Sequence, residues 1–494
     1  MASMMIYQPS RRSVLLGLAT AASSFARGAV PPAPYGVLPS PSQLAWSELG
    51  FYNFLHFTVN TFTDKEWGDG DENPAIFNPT GFDAAAICAV LKEAGSRGII
   101  LTCKHHDGFC LWPTKTTDHS IRFSPYKNGK GDIVRELSEA AERAGLKFGV
   151  YLSPWDRNNA AYGTFAYLAI YRNQLRELLT EYGPIFEIWH DGANGGSGFY
   201  GGARETRTID KVRYYDWPTT WALTRQLQPN AVIFSDVGPD IRWVGNEKGV
   251  AGETCWATYS PVATNGGTAV PGDVREKEST VGTRNGKLWL PAECDVSIRP
   301  GWFWHPAENN KVKTPRELFD LYCVSTGRGA SFLLNVPPDR RGLIHEEDAE
   351  SLRGFGRIMN ATFARNLAFG ARVKASNSRH GYLPVHLLDE NRHTYWATDD
   401  YVTQADIVFD LPRPVRFDLV RVRETIALGQ RIGGFSVEYW KDGGWSNFGT
   451  GTSVGACRIL RSSAPVETNR VRLKITESAA CPALSEFALF TVAG

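Results

Sequence analysis

Between residues 46 and 362, apolar strand-like segments alternate with amphipathic helical patterns, and this alternation constrains the fold more than any other feature. The pattern predicts strands at 51–57, 98–103, 147–152, 185–190, 231–235, 288–293 and 330–336. It predicts helices at 82–95, 132–144, 166–182, 216–227, 314–328 and 346–362. A βα rhythm of this length buries a parallel sheet beneath helices, and closing that sheet gives a (β/α)8 barrel. No Gly-x-Gly-x-x-Gly follows the first strand, which removes the usual reason to prefer an open dinucleotide-binding sheet. The remaining strand falls within 238–287, a Gly-rich and irregular region of the kind that carries function.

The texture changes after about residue 366. Strand-like segments at 371–376, 405–411, 415–424, 433–440, 457–461 and 470–476 follow one another with turn clusters and no helical pattern, as in a β-sandwich or jelly roll. The N-terminus reads as a targeting segment. Arg11 and Arg12 precede a short apolar run, Ser13 to Ala19, too short to span a bilayer, and Ser24-Phe25-Ala26 supplies small residues for cleavage. The paired arginines suit twin-arginine export. The expected organisation is therefore a signal peptide at 1–26, an extended lead-in at 27–45, the barrel at 46–365 and the sandwich at 366–494. The mature chain is expected in a bacterial periplasm or outside the cell, with no membrane anchor.

Lys and Arg total 53 against 52 Asp and Glu, so the net charge of +1 gives no footprint for nucleic acid. Eight cysteines in 494 residues do not make a disulfide scaffold, and no spacing matches a zinc site. Cys457 and Cys481 share the last segment and can pair in an oxidising compartment. Aromatic residues reach 12%, many beside polar residues near strand ends, which suits a sugar whose C–H face stacks on rings while its hydroxyls bond the rim. Nothing in the sequence sets an oligomeric state.

Four successive strands end in polar or aromatic side chains, on the face where barrel enzymes hold reacting groups. They are Phe54-Leu55-His56-Phe57, with Glu66-Trp67-Gly68 following; Lys104-His105-His106-Asp107-Gly108-Phe109; Tyr151-Leu152-Ser153; and Ile188-Trp189-His190-Asp191-Gly192. Asp191 alone would read as a strand-end acid bonding loop amides. In this company it reads as a reacting carboxylate. His56, one of the adjacent His105 and His106, and Asp191 also allow a metal reading. Adjacent strand residues face opposite ways and no His-Glu-x-x-His spacing is present, so the expectation is that no catalytic metal is bound.

Taken together and in this order, these motifs resemble the catalytic barrel of family 29 α-L-fucosidases over residues 46–362. The resemblance implies a retaining exo-hydrolase of terminal α-L-fucose that needs no cofactor and acts on a fucosylated oligosaccharide or glycan. It implies Asp191 as nucleophile, with His56, Glu66, Trp67, His105, His106, Tyr151 and Trp189 holding the sugar. Gly238 to Gly249 resembles the branch of the family that prefers α1,3- and α1,4-linked fucose, in which the acid/base is the Glu of a Gly-Asn-Glu element, here Glu247. Glu247 lies farther from Asp191 than that branch implies, and the Gly-rich stretch 195–203 accounts for the excess as an insertion. The rival acid/base is Glu293, read as close to a strand end; otherwise Glu293 serves as a subsite ligand with Arg299, Trp302 and Trp304. Asp240, Arg242 and Glu253 read as salt-bridged loop supports. Residues 375–400 resemble discoidin-like, galactose-binding jelly rolls, a resemblance that implies either a sugar-binding module or a packing partner. Asp389, Asn391 and Thr394 there could offer oxygens to a structural Ca2+. Alternative functions are hydrolysis of a related sugar, fucose transfer, broad specificity including α1,2 links, and a non-catalytic lectin.

Overall fold

The computed structural model describes residues 29–192, 198–200 and 204–494, so the expected signal peptide lies outside the described residues. Eight parallel strands close into a barrel. In chain order they are β1 (Phe51–Leu55), β2 (Gly98–Lys104), β3 (Lys147–Leu152), β4 (Glu187–Trp189), β5 (Val232–Ser235), β6 (Ile241–Trp243), β7 (Ala292–Ser297) and β8 (Ser331–Asn335). Each strand pairs with its sequence neighbour, and β8 closes on β1 with Phe51 opposite Phe332. Strands buried on both faces need continuous apolar runs, and β1, β2, β5 and β8 are buried at every position. Inside the barrel, Tyr52, Phe54, Ile100, Trp189, Phe234 and Leu333 form one packed cluster, with Trp46 of the first helix against it. Outside, helices such as Ile133–Ala144 present one apolar face to the strands; Asp132 caps that helix by accepting from the Arg135 amide.

Two departures from the sequence reading matter for the site. The remaining strand is only three residues long, Ile241–Trp243, and lies directly beside β5, with Phe234 opposite Ile241. The expected strand at 288–293 is displaced. Leu288–Trp289 instead pairs antiparallel with Thr258–Tyr259, and the barrel strand starts at Ala292. Glu293 is therefore the second residue of β7 and not its end.

The C-terminal sandwich follows the helix Glu346–Phe363. Its sheet is built on two long strands, Ala405–Glu424 and Arg458–Ser478, paired antiparallel through bulges. Strands Gly444–Gly451 and Ala483–Phe490 were not expected. The first is half-exposed and rich in Gly, and the second is buried on both faces, so neither alternates cleanly. Leu419, Ile459, Ala488 and Phe490 of the sandwich join the core that packs outside the barrel strands. The sandwich also braces the long β6–β7 connection. Arg458 Nη2 meets Glu253 at 2.7 Å, Ser453 Oγ accepts from the Cys255 amide at 3.1 Å, and Gln430 Oε1 accepts from the Ala257 amide at 2.8 Å. All eight cysteines are buried free thiols, so the pairing of Cys457 with Cys481 is absent. Asp389 accepts from the Asn391 amide and the Thr394 hydroxyl, and Asn391 from the His393 amide, so the loop proposed for Ca2+ turns its oxygens onto its own donors.

Candidate active site

A cavity of about 530 Å3 opens at the C-terminal ends of β1–β7. Its lining includes His56, Glu66, Trp67, His105, His106, Tyr151, Trp189, Asp191, Glu247 and Trp302, so most of the residues singled out from sequence converge here. The volume falls within the range of small-ligand sites.

The histidine wall is neutral. His56 Nδ1 lies 2.9 Å from Asn335 Oδ1, while the Asn335 amide group donates to Ser297 Oγ and the Trp302 carbonyl. The Asn oxygen is thus the acceptor, His56 Nδ1 carries the hydrogen, and Nε2 is left as an acceptor. His106 Nδ1 lies 2.7 Å from Ser153 Oγ, whose own hydrogen goes to the Trp155 carbonyl, which fixes the same tautomer. Burial pushes His56 down to about 4 and His106 down to about 3. Burial, with His106 and His56 beside it, also drives His105 well below its ordinary value. His105 Nδ1 is buried with no protein partner. The alternation argument for His105 and His106 fails because β2 ends at Lys104; both rings line the cavity, 4.0 Å apart. At 3.7 Å, neutral His106 makes no ion pair with Asp191. Among the described residues, Asp69, Asp71 and Glu72 alone bring metal-binding atoms within 4.8 Å of one another, and these lie away from the histidines.

Asp191 follows β4 by two residues, and Tyr151 donates to its Oδ2 at 2.6 Å. Gly192 is required beside it: a Cβ there would lie 2.1 Å from an oxygen of Asp236, which packs against this turn. On the opposite wall, Glu247 accepts from Trp302 Nε1 at 3.3 Å. Glu66 fixes the same wall by accepting from the Trp302 and Phe303 amides at 2.9 and 3.1 Å. His305 bonds Glu66 at 2.7 Å, and its bonds to Glu66 and Asp64 outweigh burial and raise it. Trp67 is 54% exposed and stands edge-on to Trp155, presenting a free ring to the opening.

Three expectations are corrected. Glu293 is fully buried beneath Trp189, bonded to Tyr52 and to Trp189 Nε1, so it neither reaches a leaving group nor contacts substrate. Trp304 lies outside the cavity lining, stacked on His345. Arg299 is sealed in an ion pair with Asp348 at 2.9 Å. Asp240 and Glu253 are salt-bridged supports, to Arg225 and to Arg458 respectively, whereas Arg242 is buried over the Tyr259 ring and spends its donors on the Ser279 and Leu290 carbonyls instead of a carboxylate.

Sequence reasoning missed Phe54, Trp243, Asp236, Glu276 and Asp295, all of which line the cavity. Asp236 directly follows β5, so the strand-end rule that found Asp191 applies to it equally. Burial raises Asp236 to about 6, against the Gly272 amide that donates to it. Asp295 was hidden by the misplaced β7; it accepts from Trp243 at 2.8 Å, and burial, then the charges of Glu247 and Glu293, hold it well above the usual carboxylate range.

Aromatic walls, neutral imidazoles and two carboxyl groups lining one barrel mouth define a glycoside hydrolase. The chain belongs to the α-L-fucosidases of glycoside hydrolase family 29, matching that family over residues 42–362 and the F5/8 type C domain family over 372–487. It is 43% identical to Alpha-L-fucosidase 1 of Arabidopsis thaliana over 93% of this chain and 88% of that one. A family 29 member from an unknown rumen bacterium superimposes with a TM-score of 0.82 at 40% identity, covering 93% of this chain and 78% of the other. A Ruminococcus gnavus GH29 fucosidase in complex with fucose gives 0.84 at 33% identity, covering 94% and 97%.

Proposed function

We propose that this α-L-fucosidase releases terminal α1,3- or α1,4-linked L-fucose from branched glycans by double displacement, with Asp191 as nucleophile and Glu247 as acid/base. The observation that carries the reading is that Asp191 and Glu247 are carboxyl groups lining one cavity, with Tyr151 donating to the first and Trp302 to the second. Asp191 attacks the anomeric carbon while protonated Glu247 gives its proton to the departing oxygen; Glu247 then takes a proton from the water that hydrolyses the fucosyl ester. Tyr151 holds the attacking geometry of Asp191. His56 and His106, as neutral imidazoles with Nε2 free of hydrogen, accept from sugar hydroxyls, and His105 supplies an unpaired nitrogen. Glu66, Trp67, Trp189 and Trp302 frame the ring. The fucose bound in the Ruminococcus gnavus relative supports this choice of sugar.

The linkage reading rests on the Gly-Asn-Glu element around Glu247. We place the enzyme outside the cytoplasm, on the N-terminal segment alone. Proton NMR tests both chemistry and linkage. The expected result is release from a trisaccharide carrying α1,3- or α1,4-fucose, none from an α1,2-fucosyl disaccharide, and α-fucose as the first anomer seen. Release of β-fucose first would reject retention, and equal release from the α1,2 sugar would reject the linkage preference.

A further inference from the structure

Two carboxyl groups lie sealed inside the barrel under the cavity floor, and the mechanism above uses neither. Glu187 opens β4 and Glu293 is the second residue of β7; both are fully buried. Trp46 Nε1 donates to Glu187 at 2.9 Å, while Tyr52 and Trp189 Nε1 donate to the two oxygens of Glu293. Two adjoining anions in such a place would repel strongly. Burial, then the charge of Glu293, holds Glu187 well above the usual range, and burial raises Glu293 against the bonds from Tyr52 and Trp189.

Glu293 reaches the cavity through the indole of Trp189. Trp189 Nε1 donates to Glu293 Oε1 at 2.7 Å, and the indole forms part of the cavity floor. That indole is sandwiched by Phe234, at 4.0 Å and 9°, and Tyr151, at 5.4 Å and 24°. The Tyr151 hydroxyl holds Asp191. Stacking alone leaves a ring free to slide in its plane; a charge-assisted hydrogen bond at its edge does not.

We propose that Glu293 is a positioning residue of the fucosyl site, fixing Trp189 and, through the stacked Tyr151 ring, the hydroxyl that aims Asp191. The inference rests on Asp191 being the nucleophile. Trp189→Phe removes the indole N–H together with part of the stacked ring, Glu293→Leu removes the acceptor, and Glu293→Gln keeps an acceptor oxygen without the charge. With 4-nitrophenyl α-L-fucoside, W189F and E293L are expected to lose about 10- to 100-fold in kcat at a KM within about threefold, the cost of a small misplacement at a reacting group, while E293Q regains most of the loss. Wild-type kcat in W189F, or in E293L folded by circular dichroism, would reduce the pair to packing and overturn the proposal. So would an E293Q as impaired as E293L. If E293L does not fold, W189F decides. Asp191→Ala runs alongside: turnover in that variant rejects the nucleophile reading itself, whereas a dead D191A beside fully active W189F rejects only the positioning role.

Discussion

The barrel holds two pairs of carboxyl groups with opposite fates. Asp191 and Glu247 line the cavity, with Tyr151 donating to the first and Trp302 to the second, on residues just past the ends of β4 and β6. Glu187 and Glu293 lie at the start of the strands β4 and β7 and are sealed from water. The difference lies in exposure and in where each carboxyl group faces. A carboxyl group that must attack carbon or pass a proton has to reach the cavity; the two oxygens of Glu293 are held beneath it by Tyr52 and Trp189. Strand-end position, read to within a few residues, separates chemistry from scaffold here.

The contrast can be broken by substitution. Asp191→Ala should lower kcat/KM on any fucoside by about 10^4-fold or more, as loss of a nucleophile does, without lowering Tm. Glu247→Ala should cost about 10²- to 10⁴-fold on a glycan, the worth of a general acid, and far less on 4-nitrophenyl fucoside, whose leaving group needs no proton. Opening the sealed pair should act on stability: Glu187→Ala empties a buried site and leaves Trp46 Nε1 without its acceptor, and chemical denaturation should show a loss of about 1–3 kcal/mol. A stable E187A would mean that the interior is wetter than its burial implies.

Much of this was legible in the chain. Six of the eight strands and the flanking helices follow from apolar periodicity, and Asp191 follows from an acid placed after a buried run. The errors share a cause. The apolar run at 288–290 belongs to a small antiparallel ladder with Thr258–Tyr259, a long-range pairing that local periodicity cannot register. Shifting β7 by four residues moved Glu293 to a strand end and hid Asp295. His105 and His106 point into one cavity because the strand stops at Lys104, and strand ends are what sequence reads least well.

Two finer tests sharpen the comparison. Trp302→Phe removes the indole donor from Glu247, and a hydrogen bond to the neutral acid is worth about 0.5–1.5 kcal/mol, so kcat/KM on glycans should fall by roughly two- to tenfold. Asp295→Asn addresses the carboxyl between the two pairs. Its folded pKa lies above its ordinary 3.8, so its contribution to stability is present below that pH and is lost as pH rises toward the folded value. The unfolding free energy of D295N relative to wild type should therefore climb as the pH rises above about 4, by at most about 1.4 kcal/mol per pH unit. A constant difference would mean that Asp295 is ionised.

The most direct test of the division of labour is the anomeric configuration of the product when Glu247→Ala turns over 4-nitrophenyl α-L-fucoside in azide. A small anion needs no general base, so it should intercept the fucosyl ester on Asp191, accelerate turnover and give α-L-fucosyl azide by proton NMR. No acceleration, or β-L-fucosyl azide, would contradict the assignment of Asp191 and Glu247 as the reacting pair.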